Sequence, residues 1–351
     1  MKYAPFPKIL ICICLISGLL ISASVTTSRQ DTAEKDNIEK ILGADISFLP
    51  QLEDEGLKFY VNGVQKDAIQ ILKEHGFNYI RLRIFVDPAA DSGYSKKGYC
   101  GLEQTKQMAK RIRAANMKFL LDFHYSDNWA DGGKQYTPAA WKNLAFPELV
   151  TQVHDYSKQV ITELQQQGTP PDMVQIGNEI SHGMLWPDGT ASDNMAAFAQ
   201  LISTGYDAVK EIFPDAKVIV HISNGYDNNL FRWIFDGLTL NNAKFDVIGM
   251  SLYPSVTNWA AYNSQCLANM NDMVSRYNKE VMIVEVGMPW DSPDECWSFL
   301  TDIISKTKTV TGNKALGVSY WEPEAYNNWS GYTLGAFDNT GKPTHALDAF
   351  K

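Results

Sequence analysis

The chain has 351 residues, 45% of them hydrophobic and 20% charged, which excludes a disordered or fibrous polymer and leaves chain enough for a deep globular core. A formal net charge of -9 excludes a nucleic-acid backbone as the expected partner, because phosphate binding calls for a cationic face. A neutral or cationic ligand is expected instead.

From the N-terminus, Lys2 and Lys8 precede an apolar run that continues to Leu20, and the small residues Ser22, Ala23 and Ser24 follow. Residues 1–24 therefore read as an export signal that is removed, too short for a comfortable membrane span. The polar stretch over 25–37 reads as a flexible leader. Residues 38–351 are expected to form one domain. Strand-like runs fall at 43–50, 79–86, 119–126, 173–180, 217–223, 246–254, 281–287 and 315–323. Stretches with helical spacing lie between them at 64–75, 103–116, 148–167, 195–213 and 269–277. Eight alternating units predict an α/β fold, a single closed (β/α)8 barrel. The alternative, an open doubly wound sheet, would normally bring a Gly-rich phosphate turn after its first strand, and 43–50 has none.

Period-two alternation sharpens the reading. It sends Ile80, Leu82, Ile84 and Val86 toward the helices and Arg81 and Arg83 into the barrel. The same parity turns inward Asp122 with His124, Gln175 with Glu179, His221 with Ser223, Ser251 with Tyr253, Ile283 with Glu285, and Ser319 with Trp321. Two buried arginines require carboxylates, here Asp45, Asp122, Glu179 or Glu285. Glu179 and Glu285 both end Val/Ile-rich runs, and two carboxyls at strand tips are the working parts of a glycosidase. An aldolase-type barrel would need an inward lysine at a strand tip, and none is present. Of the cysteines beyond the signal, Cys100, Cys266 and Cys296, at most two can bridge, and Cys266 with Cys296 is the pair to test first. None has metal-ligand spacing.

The segments GADIS, RLRI, DFHYSDNWADGGKQ, IGNEI followed by GMLWPDG, then SLYP, VEVG and SYWEP, in this order, resemble glycoside hydrolase family 53, the endo-β-1,4-galactanases. The resemblance spans nearly the whole chain after the leader. It implies a retaining (β/α)8 enzyme that cleaves β-1,4-galactan side chains of pectin, with 38–351 as the catalytic domain. It matches Glu179 to the general acid/base, Glu285 to the nucleophile, and Tyr253 to a position whose hydroxyl donates to the nucleophile. The two carboxyls are then expected about 5–5.5 Å apart. Glu179 is expected to be raised in pKa, and Glu285 to be kept ionised by Arg and Tyr donors.

Around this pair, Asn178 is expected to hold the sugar 2-hydroxyl, Trp321 to stack beneath the reacting sugar, and Trp129, Trp186, Trp290 and Trp329 to furnish outer subsites. His124 and Asp122 either bind hydroxyls or brace the barrel. Where relatives often read WADPG this chain reads WADGG, so a looser loop is expected after the third strand. The segment after Glu285 lacks the extension that holds calcium in some relatives. No cofactor or metal is therefore expected to be required, although Asp291, Asp294 and Glu295 leave a weak calcium site open. A monomer acting on a polysaccharide, exported to a periplasm, cell surface or medium, completes the expectation. A mannanase or xylanase with the same glutamates, and a non-catalytic carbohydrate-binding barrel, remain the alternatives.

Overall fold

A computed structural model describes residues 39–351, so the expected signal and leader lie outside the described residues. Eight parallel strands close into a barrel: β1 (Ile41–Asp45), β2 (Tyr79–Ile84), β3 (Lys118–Phe123), β4 (Met173–Ile176), β5 (Lys217–Ile222), β6 (Val247–Leu252), β7 (Glu280–Val286) and β8 (Ala315–Trp321). Closure is made by β1 pairing with both β8 and β2. Outside run the helices α1 (Leu49–Asp54), α2 (Ala68–Glu74), α3 (Leu102–Ala114), α4 (Phe146–Gln166), α5 (Met195–Ile212), α6 (Asn228–Leu240), α7 (Trp259–Tyr277) and α8 (Pro293–Thr307). Their starts follow capping chemistry: Asp67, Asn194 and Asp227 accept backbone N–H groups at α2, α5 and α6, while Pro293, Asp294 and Glu295 open α8. No helix among the described residues is long and apolar enough to cross a membrane.

The eight strand runs are where the sequence puts them, but three local expectations fail. The stretch 64–75 is not all helix: Val64–Gln65 pairs with Tyr60–Val61 in a hairpin whose turn, Asn62 and Gly63, has positive φ at both residues. Asn-Gly favours that turn. The first strand ends at Asp45 and α1 takes over from Leu49, and α7 begins ten residues before the predicted Asn269.

Inside the barrel the N-terminal halves of the strands pack an apolar plug of Ile41, Tyr79, Leu120, Met173, Ile219, Val247, Met282, Val284 and Leu316. Polar residues occupy the other end, where enzymes of this architecture carry their chemistry. One parity expectation is overturned here. Ile283 packs on the helix side and Val284 faces inward, because the β6–β7 ladder jumps from Met250 opposite Ile283 to Ser251 opposite Glu285. This bulge at Val284 is what returns Glu285 to the interior. In β8 the alternation also breaks, at Gly317, where a Cβ would lie 1.9 Å from the Ile41 carbonyl oxygen.

Candidate active site

Glu179 lies just past β4, after Gly177, whose φ of +79° and contact with Ile180 exclude a side chain there. Glu179 itself has φ +45°, a left-handed backbone that costs a residue with a Cβ about 1–2 kcal/mol. The same left-handed conformation recurs at Tyr125, Asn224 and Glu322, so four strand exits at this end of the barrel share it. Glu285 comes from β7. One carboxylate oxygen of each glutamate and a ring nitrogen of His221 lie within 4.8 Å of one another. A groove of about 510 Å³ exposes both glutamates together with Trp129, Asn178, Tyr253 and Trp321, and with Asp131, Lys134, Tyr332 and Leu334 around them. A second cavity of about 480 Å³ continues past Trp129 and Lys134 toward Tyr136 and Lys142.

Arg81 is the electrostatic centre of the site. Nη1 meets Asp45 at 2.8 Å and Glu285 at 2.9 Å, while Nη2 meets Asp122 at 2.8 Å and the Asn178 amide oxygen at 2.8 Å. Tyr253 donates to the other oxygen of Glu285 at 2.9 Å. Burial nevertheless pushes Glu285 up to about 8; Arg81 pulls against it, the negative Glu179 adds to it, and Tyr253 opposes it. The expectation that donors alone would keep this carboxyl low is therefore corrected, because desolvation outweighs them. Glu179 is raised too, first by burial, against a Ser251 hydrogen bond and with the help of Asp131. Two carboxyls this close, both raised, titrate as a pair that resists carrying two charges.

The arginines divide differently from expectation. Arg81 takes Asp45, Asp122 and Glu285, and no ion pair joins either arginine to Glu179 among the described residues. Arg83 pairs with Glu322, a carboxylate the sequence reading missed, and its guanidinium lies 4.4 Å from the ring centres of both Phe48 and Trp129. It backs the aromatic wall from inside the protein and does not line the groove. Glu322 follows Trp321 and by alternation would face the helices, but its left-handed φ of 49° breaks the period. Beside it Glu324 is also fully buried. Burial pushes Glu322 up to about 7, with Arg83 pulling down and Asp45 pushing up, and raises Glu324 well above the carboxylate range.

Asp45, Asp122 and His124 are buried behind the groove, and His124 Nε2 lies 3.1 Å from Asp122, a bracing arrangement. Trp129 and Trp321 meet edge to face at 6.0 Å between ring centres and form one wall. Trp186, Trp290 and Trp329 do not border the groove: Trp186 donates to the His182 carbonyl, the Trp290 backbone to Thr333, and Trp329 to Glu55. Cys100, Cys266 and Cys296 are buried and free, so the expected Cys266–Cys296 bridge is absent. Asp291, Asp294 and Glu295 do not converge; among the described residues the metal-capable group is Glu179, His221 and Glu285. His221 and Ser251, predicted inward but given no role, prove to be direct neighbours of Glu179.

A family model described as glycosyl hydrolase family 53 matches residues 41–350. A probable arabinogalactan endo-beta-1,4-galactanase A of Neosartorya fischeri is 33% identical over 309 residues, covering 82% of this chain and 84% of that protein. An uncharacterized protein of Niallia circulans is 35% identical over 353 residues, covering 89% and 93%. The solved catalytic domain of a family 53 protein from Ignisphaera aggregans superposes with a TM-score of 0.80 at 31% identity, covering 90% of this chain and 96% of that one.

Proposed function

The chain belongs to glycosyl hydrolase family 53 and is a glycosidase, and from that premise we propose that it cleaves β-1,4-galactosidic bonds within galactan side chains of pectin, with retention of configuration. The observation that carries the mechanism is the approach of the two carboxyls, one oxygen of each lying within 4.8 Å of the other. A retaining pair sits about 5–5.5 Å apart, whereas an inverting pair needs roughly 6.5–9.5 Å to admit a water.

In this reading Glu179 is the acid. Among the described residues it has no ion-paired cation and it lies near the negative Asp131, whereas Glu285 has Arg81 and the Tyr253 hydroxyl as donors; on these contacts the pair's shared proton is assigned to Glu179. Glu285 is the nucleophile. Arg81 and the Tyr253 hydroxyl draw the remaining charge onto it, and that bias strengthens once Glu179 is neutral and no longer repels it. Glu179 protonates the glycosidic oxygen as a Glu285 oxygen attacks the anomeric carbon. The C–O bond to the leaving sugar breaks and a glycosyl ester forms. Glu179, now a carboxylate, takes a proton from water, which attacks the same carbon and releases Glu285. In the same reading Asn178, fixed by Arg81 and by its own donation to the Ala130 carbonyl at 2.9 Å, holds the sugar 2-hydroxyl. Trp321 and Trp129 supply flat apolar surface for the sugar faces.

The apolar N-terminal run supports export, and the groove with a second cavity beyond Trp129 and Lys134 supports attack within a chain rather than at its end. Incubation with unbranched β-1,4-galactan, with products sized over time, tests the whole reading. Early medium-length oligomers are expected. Galactose alone would overturn internal cleavage, and preferential turnover of mannan or xylan in the same panel would reassign the substrate.

A further inference from the structure

Behind Glu179 lies a short chain of hydrogen bonds that the double-displacement scheme does not use. Ser251 Oγ is 2.7 Å from Glu179 Oε1, and His221 Nε2 is 2.8 Å from Ser251 Oγ. Serine and histidine are both buried. The direction of the chain depends on which ring nitrogen of His221 carries hydrogen, and the surroundings of Nδ1 decide that.

One donor faces Nδ1, the Glu179 backbone N–H at 3.3 Å; the Gln175 side-chain nitrogen lies 3.1 Å away but gives its two hydrogens to Asp122 at 2.6 Å and to the Gly177 carbonyl at 3.0 Å. Neither amide nearby is free to flip. Gln175 turns its oxygen to Arg81 Nε at 3.3 Å and its nitrogen to Asp122 at 2.6 Å. Asn178 gives its oxygen to Arg81 Nη2 at 2.8 Å and its nitrogen to the Ala130 carbonyl. The Asn178 oxygen also lies 3.1 Å from Nδ1, but a hydrogen on Nδ1 directed at it would leave the Glu179 N–H facing a second donor. Nδ1 is therefore an acceptor and the ring hydrogen sits on Nε2. The ring stays neutral, since burial first, then Arg81 and His124, hold its pKa well below the usual range. Ser251 must accept from Nε2, and its own hydrogen has one polar partner left, Glu179 Oε1.

We propose that His221 and Ser251 form a one-way relay that reserves Oε1 of Glu179 as an acceptor, so that the transferable proton resides on Oε2. The proposal rests on Glu179 being the acid. During bond cleavage the Oε2–H bond breaks, the proton passes to the leaving oxygen, and the electron pair stays on Glu179. Ser251 already donates to the carboxylate so formed. His221 and Ser251 are positioning residues: they act through Glu179 and touch no substrate.

Ser251→Ala tests this, because it deletes one hydroxyl and little volume. A hydrogen bond to a charged group is worth about one to two pKa units, so the alkaline limb of kcat/KM on galactan should rise by about one pH unit. At neutral pH kcat/KM on galactan should fall about tenfold, by loss of the proton's placement. An aryl β-galactobioside with an acidic phenol needs no protonation of its leaving group, so kcat/KM for it should stay within about twofold. Ser251→Thr, which keeps the hydroxyl, should restore both the rate and the limb. Equal losses on both substrates, or an unmoved limb in a variant whose thermal midpoint matches the parent, would overturn the relay. Glu179→Gln run alongside separates the two levels. If it abolishes galactan cleavage while Ser251→Ala behaves like the parent, only the relay fails; if it cleaves galactan normally, the acid assignment fails and the relay with it.

Discussion

Replacing Arg81 by methionine, similar in length but without charge, removes the cation shared by Asp45, Asp122 and Glu285. Each contact, 2.8–2.9 Å long, corresponds to ~6 kcal/mol of attraction at an effective dielectric of ~20, largely offset by the desolvation of both partners. Removing one partner of such a buried group typically costs about 3–5 kcal/mol, because the charges left behind have neither water nor a counterion. The variant is expected to lose at least ~4 kcal/mol at pH 8, since three carboxyls are orphaned rather than one. The sign of the pH dependence follows. Without the guanidinium the folded-state pKa of Glu285, already raised by burial, climbs further above its unfolded value, so the stability it contributes is present at low pH and lost as pH climbs through the raised value. The deficit relative to the parent should therefore be clearly smaller at pH 5 than at pH 8. Urea unfolding followed by tryptophan fluorescence at both pH values measures it. A deficit below ~1 kcal/mol, or one equal at the two pH values, would refute the picture of Arg81 as the shared counterion.

Three further outcomes are expected. In Glu179→Gln the amide stands in for the protonated acid, so Glu285 titrates beside a neutral partner as in the parent and the acidic limb of kcat/KM on an activated aryl substrate should keep its place; a limb that moves to lower pH would show that Glu285, not Glu179, holds the pair's proton. Trp321→Ala should raise KM on galactan about tenfold, or ~1.4 kcal/mol, by removing a stacking face from the groove, and direct binding to the Glu285→Gln variant would verify it. Glu324, buried and raised in pKa, supplies stability that is present at low pH and lost as pH rises, so Glu324→Gln should flatten the decline in unfolding free energy between pH 6 and pH 9.

Much of this site is legible in the sequence because strands impose a period of two. Arg81, Asp122, His221 and Ser251 fall inward by simple counting, and the need of a buried guanidinium for acids points correctly to Asp45, Asp122 and Glu285. The failures cluster where that period breaks. Glu322 and Ile283 are misread because a left-handed residue and a bulge reset the alternation, and neither leaves a mark in hydrophobicity. The missed hairpin had its signal in Asn62-Gly63, overlooked beside the helical spacing that follows. Arg83, Trp186, Trp290 and Trp329 lie near strand tips as counted, but whether a side chain faces a groove or props its wall depends on packing between distant segments. The cysteine pairing failed for a related reason: parity of count says nothing of distance, and Cys266 packs against Met250 while Cys296 packs against Tyr320.

The extra residue at Val284 has a consequence for how this sequence can vary. In an open sheet, a surplus residue can be shed by letting an outer strand slide along its single neighbour. A ring has no outer strand, so a residue gained or lost in β7 shifts the register against both adjoining ladders at once. Insertions and deletions that are harmless in the connecting loops are thus disfavoured in this strand, and the position of Glu285 is protected by the geometry of a closed loop as much as by the carboxyl group itself.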